Sequence, residues 1–330
     1  MKHNWMNRTV LYRSILLLVA ISQPFALKAA DCEPEMLADV QLRISPDGRL
    51  YLPAAIGDRQ VYFELSMGWG LPMLQESSAK SLGLMPKPIN GTGRFPREIT
   101  HYVQLEGLKV GNFLYAKRAA PLLPKHDDDP EMLDDRLVAG IIGSTLFQHV
   151  DVELNLAERQ LKLFRPFRCL AQSPVYWSRE YAKLPLHFDE AGALVFTLEL
   201  NGRKVEASML SGARDSTIDV NAAREFFGFD ENSEGIKIVE SEDGSPRKVF
   251  HAMSLTGPGL ELPDARVRLR PGGCKLTGST KIYRAIGYTT CLNTVPFVLG
   301  FDLLSQMRIY VSSERDAVFV TFNSNRPSPR

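Results

Sequence analysis

The sequence lacks the signatures of several common classes of protein. No basic stripe stands out, and 39 Lys and Arg residues nearly balance 38 Asp and Glu residues, for a formal net charge of +1. This balance argues against a nucleic-acid partner and against attraction to an anionic membrane surface. The chain also has neither a Gly-rich phosphate-binding loop nor an H-E-x-x-H zinc motif. We therefore expect no cofactor.

Cysteine is scarce, and none of the 4 cysteines in 330 residues has the C-x-x-C spacing typical of a zinc site. A metal site is therefore not expected. The four residues can pair in more than one way. We favour Cys32–Cys169, which would join the start of the first half of the chain to its end, and Cys274–Cys291, which would close a loop in the second half. Disulfides suit an exported protein.

Long apolar runs are also missing, and the one near the N-terminus is short. It covers residues 15–21, follows basic residues and is interrupted by Ser22–Pro24, whereas a membrane-spanning helix needs about 20 apolar residues. Because Ala29 and Ala30 follow, the pattern predicts a secretory signal peptide at residues 1–30. We expect a periplasmic or secreted protein without stable membrane insertion after signal cleavage; the alternative is an uncleaved anchor.

One stretch of the chain occurs twice. V-Y-F-E-L-S-M-G-W-G at 61–70 resembles V-E-A-S-M-L-S-G-A at 205–213, and Gly68 lies 144 residues before Gly212. Each copy is a β-rich run that ends in a small turn built on a glycine and precedes a helical pattern. Two copies of a strand–turn–helix unit indicate an internal duplication, with two similar lobes that meet at the two turns.

A second repeat supports the duplication. G-I-I-G-S-T-L-F and F-V-L-G-F-D-L-L are apolar runs broken by Gly143 and Gly300, which lie 157 residues apart. Many short strands with Gly and Pro turns favour a mainly-β fold in two halves. We predict an N-terminal lobe at 31–168, a linker at 169–182, a C-terminal lobe at 183–325 and a disordered tail at 326–330.

Alternating apolar residues and turn signals locate the individual elements. They predict helices at 76–82 and 220–227, a buried apolar run at 140–147, and strands at 40–44, 50–56, 61–65, 99–108, 113–119, 150–156, 160–164, 184–188, 194–200, 205–210, 236–240, 248–255, 265–269, 309–311 and 317–322.

These repeated motifs resemble the retropepsin-like family of bacterial aspartyl proteases. In that family each lobe has a strand, a D-T-G-A turn and a helix, and later an apolar-apolar-Gly run with a helix and a hairpin. The resemblance covers nearly all of the expected mature chain. It implies two retropepsin-like, acid-protease β-barrel lobes in a pseudo-twofold arrangement.

The resemblance also implies that the catalytic aspartates are absent. Carried over residue by residue, the catalytic Asp positions fall on Ser66 and Leu210, so no catalytic residue is intact. The other motif positions are the turn residues Met67, Gly68, Trp69, Ser211, Gly212 and Ala213, with Gly143 and Gly300 in the supporting runs.

Aspartic proteases need two carboxyl groups close enough to share a proton, one to activate water and one to polarise the peptide carbonyl. Serine is not basic enough for this role near neutral pH, and leucine has no proton to exchange. The carboxyl groups that could substitute belong to Glu64, Asp215 and Asp302. Glu64 shares a strand face with Ser66, whereas Asp302 is more simply a helix-start cap.

Other catalytic chemistries have less support. A serine nucleophile needs a base, and no serine-hydrolase elbow accompanies the scattered residues His101, His126, His149, His187 and His251. The acidic segment 126–136 does not match a known calcium loop and is more simply solvated charge.

The leading hypothesis is a pseudoenzyme that binds an extended peptide or protein partner in the interlobe cleft. The alternatives are an active aspartic-type endopeptidase that uses displaced acids and a purely structural periplasmic protein. Trp69 either narrows the cleft or fills space left by an absent substrate. We expect a monomer, because the pseudo-symmetric pairing is already internal to the chain.

Overall fold

A computed structural model describes residues 33–45, 48–68, 70–89, 99–123, 129–169, 172–189, 192–239, 248–257, 260–270 and 295–322. Pro34–Arg330 forms one compact unit. Several predictions lie outside the described residues, namely those on residues 1–30, Cys32, Trp69, His126, Cys274, Cys291 and the tail 326–330.

The fold is mainly β. The strands of the first half, which we call lobe 1, are β1 Met36–Gln41, β2 Arg43–Ile44, β3 Leu50–Ile56, β4 Arg59–Ser66, β5 Met73–Gln75, β6 Lys87–Pro88, β7 His101–Leu105, β8 Leu108–Val110, β9 Phe113–Leu114, β10 Arg118–Leu123, β11 Met132–Leu133, β12 Arg136–Gly143, β13 Asp151–Asn155 and β14 Gln160–Phe164.

The strands of the second half, which we call lobe 2, are β15 Ala182–Phe188, β16 Leu194–Leu200, β17 Arg203–Met209, β18 Thr217–Asp219, β19 Lys237–Val239, β20 Lys248–Gly257, β21 Leu260–Arg270, β22 Phe297–Leu299, β23 Met307–Ser312 and β24 Ala317–Phe322. The short helical segments are α1 Glu76–Ser81, the 3-10 helix Ser144–Gln148, α2 Val220–Ala222 with its π-helical continuation Ala223–Phe227, and α3 Phe301–Leu304.

The two lobes repeat one topology. In lobe 1 the β3–β4 hairpin is followed by β5 and α1, and β12 then pairs parallel to β4. In lobe 2 the β16–β17 hairpin is followed by β18 and α2, and β22 then pairs parallel to β17. Both lobes finish with a hairpin, β13–β14 or β23–β24. This duplicated arrangement is the two-lobed acid-protease fold.

Two turns in the described chain match hydrogen bond for hydrogen bond. Their described residues are Ser45, Gly48 and Arg49 in lobe 1 and Asp189, Gly192 and Ala193 in lobe 2, and each turn precedes the first hairpin of its lobe. In each turn the first amide donates to the last carbonyl at 3.0 Å, and the fourth amide donates to the first carbonyl at 2.9 Å. The fourth residue is a glycine with positive φ, Gly48 at +88° and Gly192 at +79°, a backbone conformation that glycine adopts at little steric cost.

The lobes are joined by six neighbouring strands at one end of a 13-stranded sheet, in the order β1-β14-β13-β23-β24-β15. Its centre is the antiparallel β13–β23 pair, where Leu154 lies opposite Ile309 and Val152 opposite Val311. These four residues are buried in one core cluster that includes residues of both lobes. The pseudo-twofold axis that relates the two lobes therefore passes between β13 and β23.

The segment between the lobes covers the other face of this sheet. Val175 is buried with Phe164, Tyr310 and Phe319, and Trp177 packs against the same cluster. The described part of the predicted linker, Cys169 and 172–182, is therefore attached to the sheet through Val175 and Trp177, and its last residue already belongs to β15. The exact boundaries of the two lobes remain predictions.

Some predicted elements differ from the structure. The single strand predicted at 99–108 is two strands, β7 and β8, and the one predicted at 113–119 is β9 followed by the start of β10. The apolar run 140–147 is the end of a strand followed by a 3-10 helix. In the acidic segment 126–136, the Glu131 carboxylate accepts hydrogen bonds from the Tyr51 hydroxyl at 3.1 Å and from the Gln75 side-chain amide at 3.3 Å. This carboxylate therefore has a structural role and is not only solvated charge.

Cys169 is disulfide-bonded. The other cysteines lie outside the described residues, so the pairing Cys32–Cys169 remains a prediction. The register of β1 and β14 is compatible with it, because Met36 lies opposite Phe164 and the Arg165 amide donates to the Glu35 carbonyl at 2.8 Å.

Candidate functional site

The first motif turn begins where β4 ends. Ser66 is the last residue of that strand, lies opposite Gly143 of the parallel strand β12, and is only 1% exposed. Met67 is equally buried, and Gly68 is buried as well. The first turn therefore lies within the protein interior and not on an open surface.

The second motif turn begins directly after β17. The Leu210 amide donates to the Leu299 carbonyl of the parallel strand β22 at 2.9 Å, and the Ala213 amide closes the turn by donating to the Leu210 carbonyl at 2.9 Å. Leu210, Gly212 and Ala213 are half-buried. This turn is consequently more accessible than its counterpart in lobe 1.

The structure brings the two turns together. The Ser211 hydroxyl, which is fully buried, donates a hydrogen bond to the carbonyl of Leu65, the residue before Ser66. The equivalent residue of lobe 1 is Met67, which has no hydroxyl and joins the apolar core with Leu65 and Met209. The pseudo-symmetry at the junction is therefore broken chemically, with a polar link from one lobe and an apolar side chain from the other.

The glycines of the supporting runs have matching conformations. Gly143 (φ −98°, ψ −176°) and Gly300 (φ −93°, ψ −178°) are both extended and both precede a short helix. A Cβ atom at Gly300 would lie 2.5 Å from the Asp215 carbonyl carbon. Gly300 is therefore needed for the close approach of the second turn to α3.

Each supporting run also bonds to its own motif turn in the same way. The Thr145 amide donates to the Gly70 carbonyl at 3.0 Å, and the Asp302 amide donates to the Arg214 carbonyl at 3.1 Å. The run then contacts the other lobe: Ser144 donates its hydroxyl proton to the Gly192 carbonyl. These contacts place both turns and both supporting runs in one junction.

Asp302 has a structural role at this junction. Its Oδ1 accepts hydrogen bonds from the Ser216 hydroxyl at 2.6 Å, the Ser216 amide at 2.8 Å and the Leu303 amide at 2.9 Å. Burial raises the pKa of the Asp302 carboxyl, although the bonds from Ser216 and Leu303 favour the ionised form. The carboxylate therefore links the start of α3 to the end of the second turn.

The other two candidate acids lie elsewhere on the lobes. Glu64 is fully buried within β4, opposite Tyr51 of β3 and Ile141 of β12. The Asp215 carboxylate lies 3.7 Å from the Arg268 guanidinium. Neither acid is at the end of a motif strand, where the resemblance would place a catalytic carboxyl group.

The described histidines are dispersed over the fold. His101, His187 and His251 lie on β7, β15 and β20, and His149 follows the 3-10 helix. The His149 ring hydrogen-bonds to Arg118, and burial together with that guanidinium lowers the pKa of His149. The four rings are thus on four different elements.

The sheet faces that point away from the lobe cores differ between the lobes. In lobe 1, Met73, Leu123 and Ile141 form a buried apolar cluster with Ile99. Met73 corresponds to Thr217 in lobe 2 and Ile141 to Val298, while Leu123 and Arg270 occupy equivalent register positions opposite Gln75 and Asp219. The outer face of lobe 1 is therefore filled with apolar side chains, whereas that of lobe 2 carries the Thr217 hydroxyl and the Arg270 guanidinium.

Within the described part of the chain, no group of three or more His, Cys, Asp or Glu side chains could hold a metal ion. A search of the same residues finds no helix with the length and apolar character to cross a membrane.

Two solved structures are similar to this chain. No protein-family model matches the sequence, and no curated protein does either. The aspartic proteinase from Irpex lacteus is similar in structure, with 11% sequence identity, a TM-score of 0.48, and 87% of this chain and 97% of that chain covered. Basic 7S globulin from soybean is similar at 9% identity and a TM-score of 0.46, with 88% and 95% covered.

The chain has an aspartic-protease-like fold. That assignment rests on the duplicated strands, turns and interlobe sheet described above. The sequence predicts a turn at Ser45–Gly48, but its correspondence to the turn that contains Gly192, 144 residues further on, was overlooked. Thr217, Arg268 and Arg270 were also overlooked, because nothing in the sequence indicates that Arg270 is buried.

Proposed function

We propose that this protein is an exported, catalytically silent relative of retropepsin-like aspartic proteases, and that it binds an extended peptide or a partner segment between its lobes. The observation that carries the proposal is the pair of residues at the ends of equivalent strands. Ser66 ends β4 and Leu210 follows β17, 144 residues further along the chain. Neither has a carboxyl group.

The absence of both carboxyl groups removes the chemistry of an aspartic protease. Loss of general acid–base assistance alone slows a reaction by about 10²–10⁴-fold, and the water molecule would also lose the groups that orient it. The neighbouring acids do not compensate readily. Asp302 is held by Ser216 and Leu303 within its own lobe, and Asp215 lies beside Arg268.

Peptide binding does not require those carboxyl groups. Clefts that capture an extended strand use backbone hydrogen bonds for affinity and side-chain pockets for specificity. The second motif turn, which is half-buried, and the polar face of lobe 2 would contact the ligand more than the filled face of lobe 1. The monomeric state and the periplasmic or secreted location belong to the same proposal.

A peptidase assay tests the proposed inactivity. The purified protein is incubated with a quenched-fluorescent library of octapeptides from roughly pH 3 to pH 8, the range in which a carboxyl pair works. We expect no turnover at any pH. Turnover by the wild-type chain would instead support an active endopeptidase with displaced acids.

A matched pair of double variants tests the assignment of the motif positions. Ser66→Asp with Leu210→Asp restores two carboxyl groups, and Ser66→Asn with Leu210→Asn introduces side chains of the same shape without them. Activity in the first variant alone would support the assignment. Retention of unmodified peptides by the immobilised wild-type chain tests the binding function, and failure to retain any would favour a purely structural protein.

A further inference from the structure

Three polar side chains on one face of lobe 2 have buried atoms without hydrogen-bond partners among the described residues. These atoms are Thr217 Oγ1, Arg268 Nε and Arg270 Nε. Thr217 and Arg268 lie opposite each other on the paired strands β18 and β21, and Arg270 is two residues further along β21. We call these three residues the lobe 2 wall.

Arg270 is buried unusually deeply for a charged residue, whereas the Arg268 side chain is 31% exposed. Arg270 is 7% exposed and Thr217 is 2% exposed. The one hydrogen bond of the Arg270 guanidinium within the described residues runs from Nη2 to the Val295 carbonyl at 3.5 Å, the limit of such a bond. Proteins rarely bury a cation without a compensating partner, because desolvation of the charge is costly.

Among the described residues, two carboxylates lie near the two arginines, and both have other structural surroundings. Asp215 lies 3.7 Å from Arg268. Asp219 lies opposite Arg270, but its Oδ1 accepts hydrogen bonds from the amides of Asn221 and Ala222 at the start of α2.

The lobe 2 wall is on the same side of its sheet as the second motif turn. Ile218, Leu269 and Met209 point into the lobe core, so the residues that alternate with them point the opposite way. Ser208 lies opposite Val298, and Val298 lies opposite Thr217. Leu210 comes two residues after Ser208, directly after the end of β17.

We propose that Thr217, Arg268 and Arg270 form a carboxylate-binding subsite on the same sheet face of lobe 2 as the second motif turn. It would take an acidic side chain or a terminal carboxylate of an extended peptide. A planar guanidinium can donate two parallel hydrogen bonds to a carboxylate, and the Thr217 hydroxyl can donate a third. This inference rests on the proposed peptide-binding function and specifies the class of ligand.

The test is affinity selection of peptides on the full-length purified protein. One random octapeptide library has acetylated N-termini and amidated C-termini, and a second has free C-termini. We expect one position in the retained blocked peptides to be enriched in Asp or Glu. Enrichment only in the second library would identify a terminal carboxylate as the ligand group.

Paired affinities then measure the contribution of the carboxylate. Replacing the enriched Glu by Gln in the best peptide should weaken binding by about tenfold or more, as for a hydrogen bond to a charged group. In Arg270→Leu, the residue that lobe 1 has at this position, the two peptides should bind equally. Arg266→Leu is the matched control, because Arg266 lies on the same strand with its guanidinium carbon 3.9 Å from the Phe250 ring centroid, and it should keep the preference.

Equal binding of the Glu and Gln peptides to the wild-type chain would overturn the subsite and leave the peptide-binding function intact. If no peptide is retained, the binding function is overturned, and glutarate at constant ionic strength becomes the probe. A higher unfolding temperature with glutarate in the wild type and not in Arg270→Leu would support the subsite, and no shift would overturn it. Thr217→Val replaces Arg270→Leu if that variant does not fold.

Discussion

The Ser211 hydroxyl of lobe 2 donates a hydrogen bond to the Leu65 carbonyl of lobe 1. This bond joins the two motif turns directly, and both ends of it are buried. Because the equivalent residue Met67 cannot form the reciprocal bond, this direct contact between the two motif turns depends on Ser211. The finding leads to the first of four predictions about stability.

Replacing Ser211 by alanine should destabilise the protein by about 1–3 kcal/mol, because it leaves the Leu65 carbonyl buried without its hydroxyl donor. Ser211→Thr keeps the hydroxyl and should cost less. Urea unfolding followed by circular dichroism gives the free energies. Ser208→Ala is a control within one lobe, since Ser208 bonds to the Leu194 carbonyl at 2.9 Å. If Ser211→Ala unfolds like the wild type, the hydrogen bond across the junction does not contribute to stability.

A methyl group at Gly300 should disrupt the second motif turn. The new Cβ atom would lie 2.5 Å from the Asp215 carbonyl carbon and 2.7 Å from the Ser216 nitrogen, so the turn must move. Overpacking of this kind costs about 1–3 kcal/mol or more. Gly83→Ala is the comparison, because Gly83 has φ +69° but nothing within 4 Å of a Cβ atom. A smaller effect at Gly300 than at Gly83 would contradict the packing argument.

Asp151 should lower the stability of the protein as pH rises, which is the opposite of the effect of a carboxyl group whose pKa is lowered by folding. It is fully buried, with Oδ2 bonded to the Phe167 amide and to the hydroxyls of Tyr310 and Ser312. Burial raises the pKa of Asp151 above the ordinary value of an aspartate despite these bonds. A carboxyl whose pKa is higher in the folded state stabilises the fold below its unfolded-state pKa, and that stabilisation is lost as pH rises through the folded-state pKa.

Asp151→Asn removes this titration. The free energy of unfolding of the wild type, relative to the variant, should therefore fall as pH rises above about 4. Urea titrations at several pH values between 4 and about 7.5 measure the difference. A relative stability of the wild type that rises over this range would mean that the folded-state pKa of Asp151 is lowered instead.

Glu153 and Arg308 should be strongly coupled across the seam between the lobes. Glu153 is 1% exposed and accepts hydrogen bonds from Arg308 Nε at 2.9 Å and Nη2 at 2.6 Å, and from the Tyr176 hydroxyl at 2.6 Å. Arg308→Met leaves this carboxylate buried beside only Tyr176 and Lys162, which should cost about 3–5 kcal/mol. Adding Glu153→Gln should restore part of that stability.

A double-mutant cycle by chemical unfolding measures this coupling. The exposed pair of Arg165 and Glu35, with hydrogen bonds of 2.6 and 2.9 Å, provides the control. Because its side chains are 65% and 59% exposed, Arg165→Met should cost less than about 1 kcal/mol. Equal losses of stability in Arg308→Met and Arg165→Met would show that the burial of Glu153 adds nothing to its interaction with Arg308.

Much of the fold could be predicted from the sequence because its signals are local. The strands predicted at 50–56 and 194–200 agree with β3 and β16 in both bounds, since each is an apolar alternation closed by a turn signal. The short strand β5 was missed, because Met73–Gln75 is too short for a periodic pattern. The strand predicted at 113–119 was wrong, because the real pairing of β10 with β5 and β7 is set by tertiary contacts.

The candidate site was less predictable than the fold. The repeat indicated which turns would meet, and the Ser211–Leu65 bond joins those two turns. It did not indicate that Asp302 would be held by Ser216, because the residues are far apart in sequence. The lobe 2 wall could not be predicted for the same reason. The burial of Arg270 follows from the packing of paired strands and not from its neighbours in the chain.

The central position of β13 limits how this chain can be divided. β13 pairs with β14 on one side and with β23 of the other lobe on the second. A fragment that stops before lobe 2 would keep the first neighbour and lose the second, so its backbone groups would be left open along one edge. Such an edge recruits another strand. Lobe 1 expressed alone would therefore self-associate. The smallest unit suitable for expression and assay is the chain that contains both lobes.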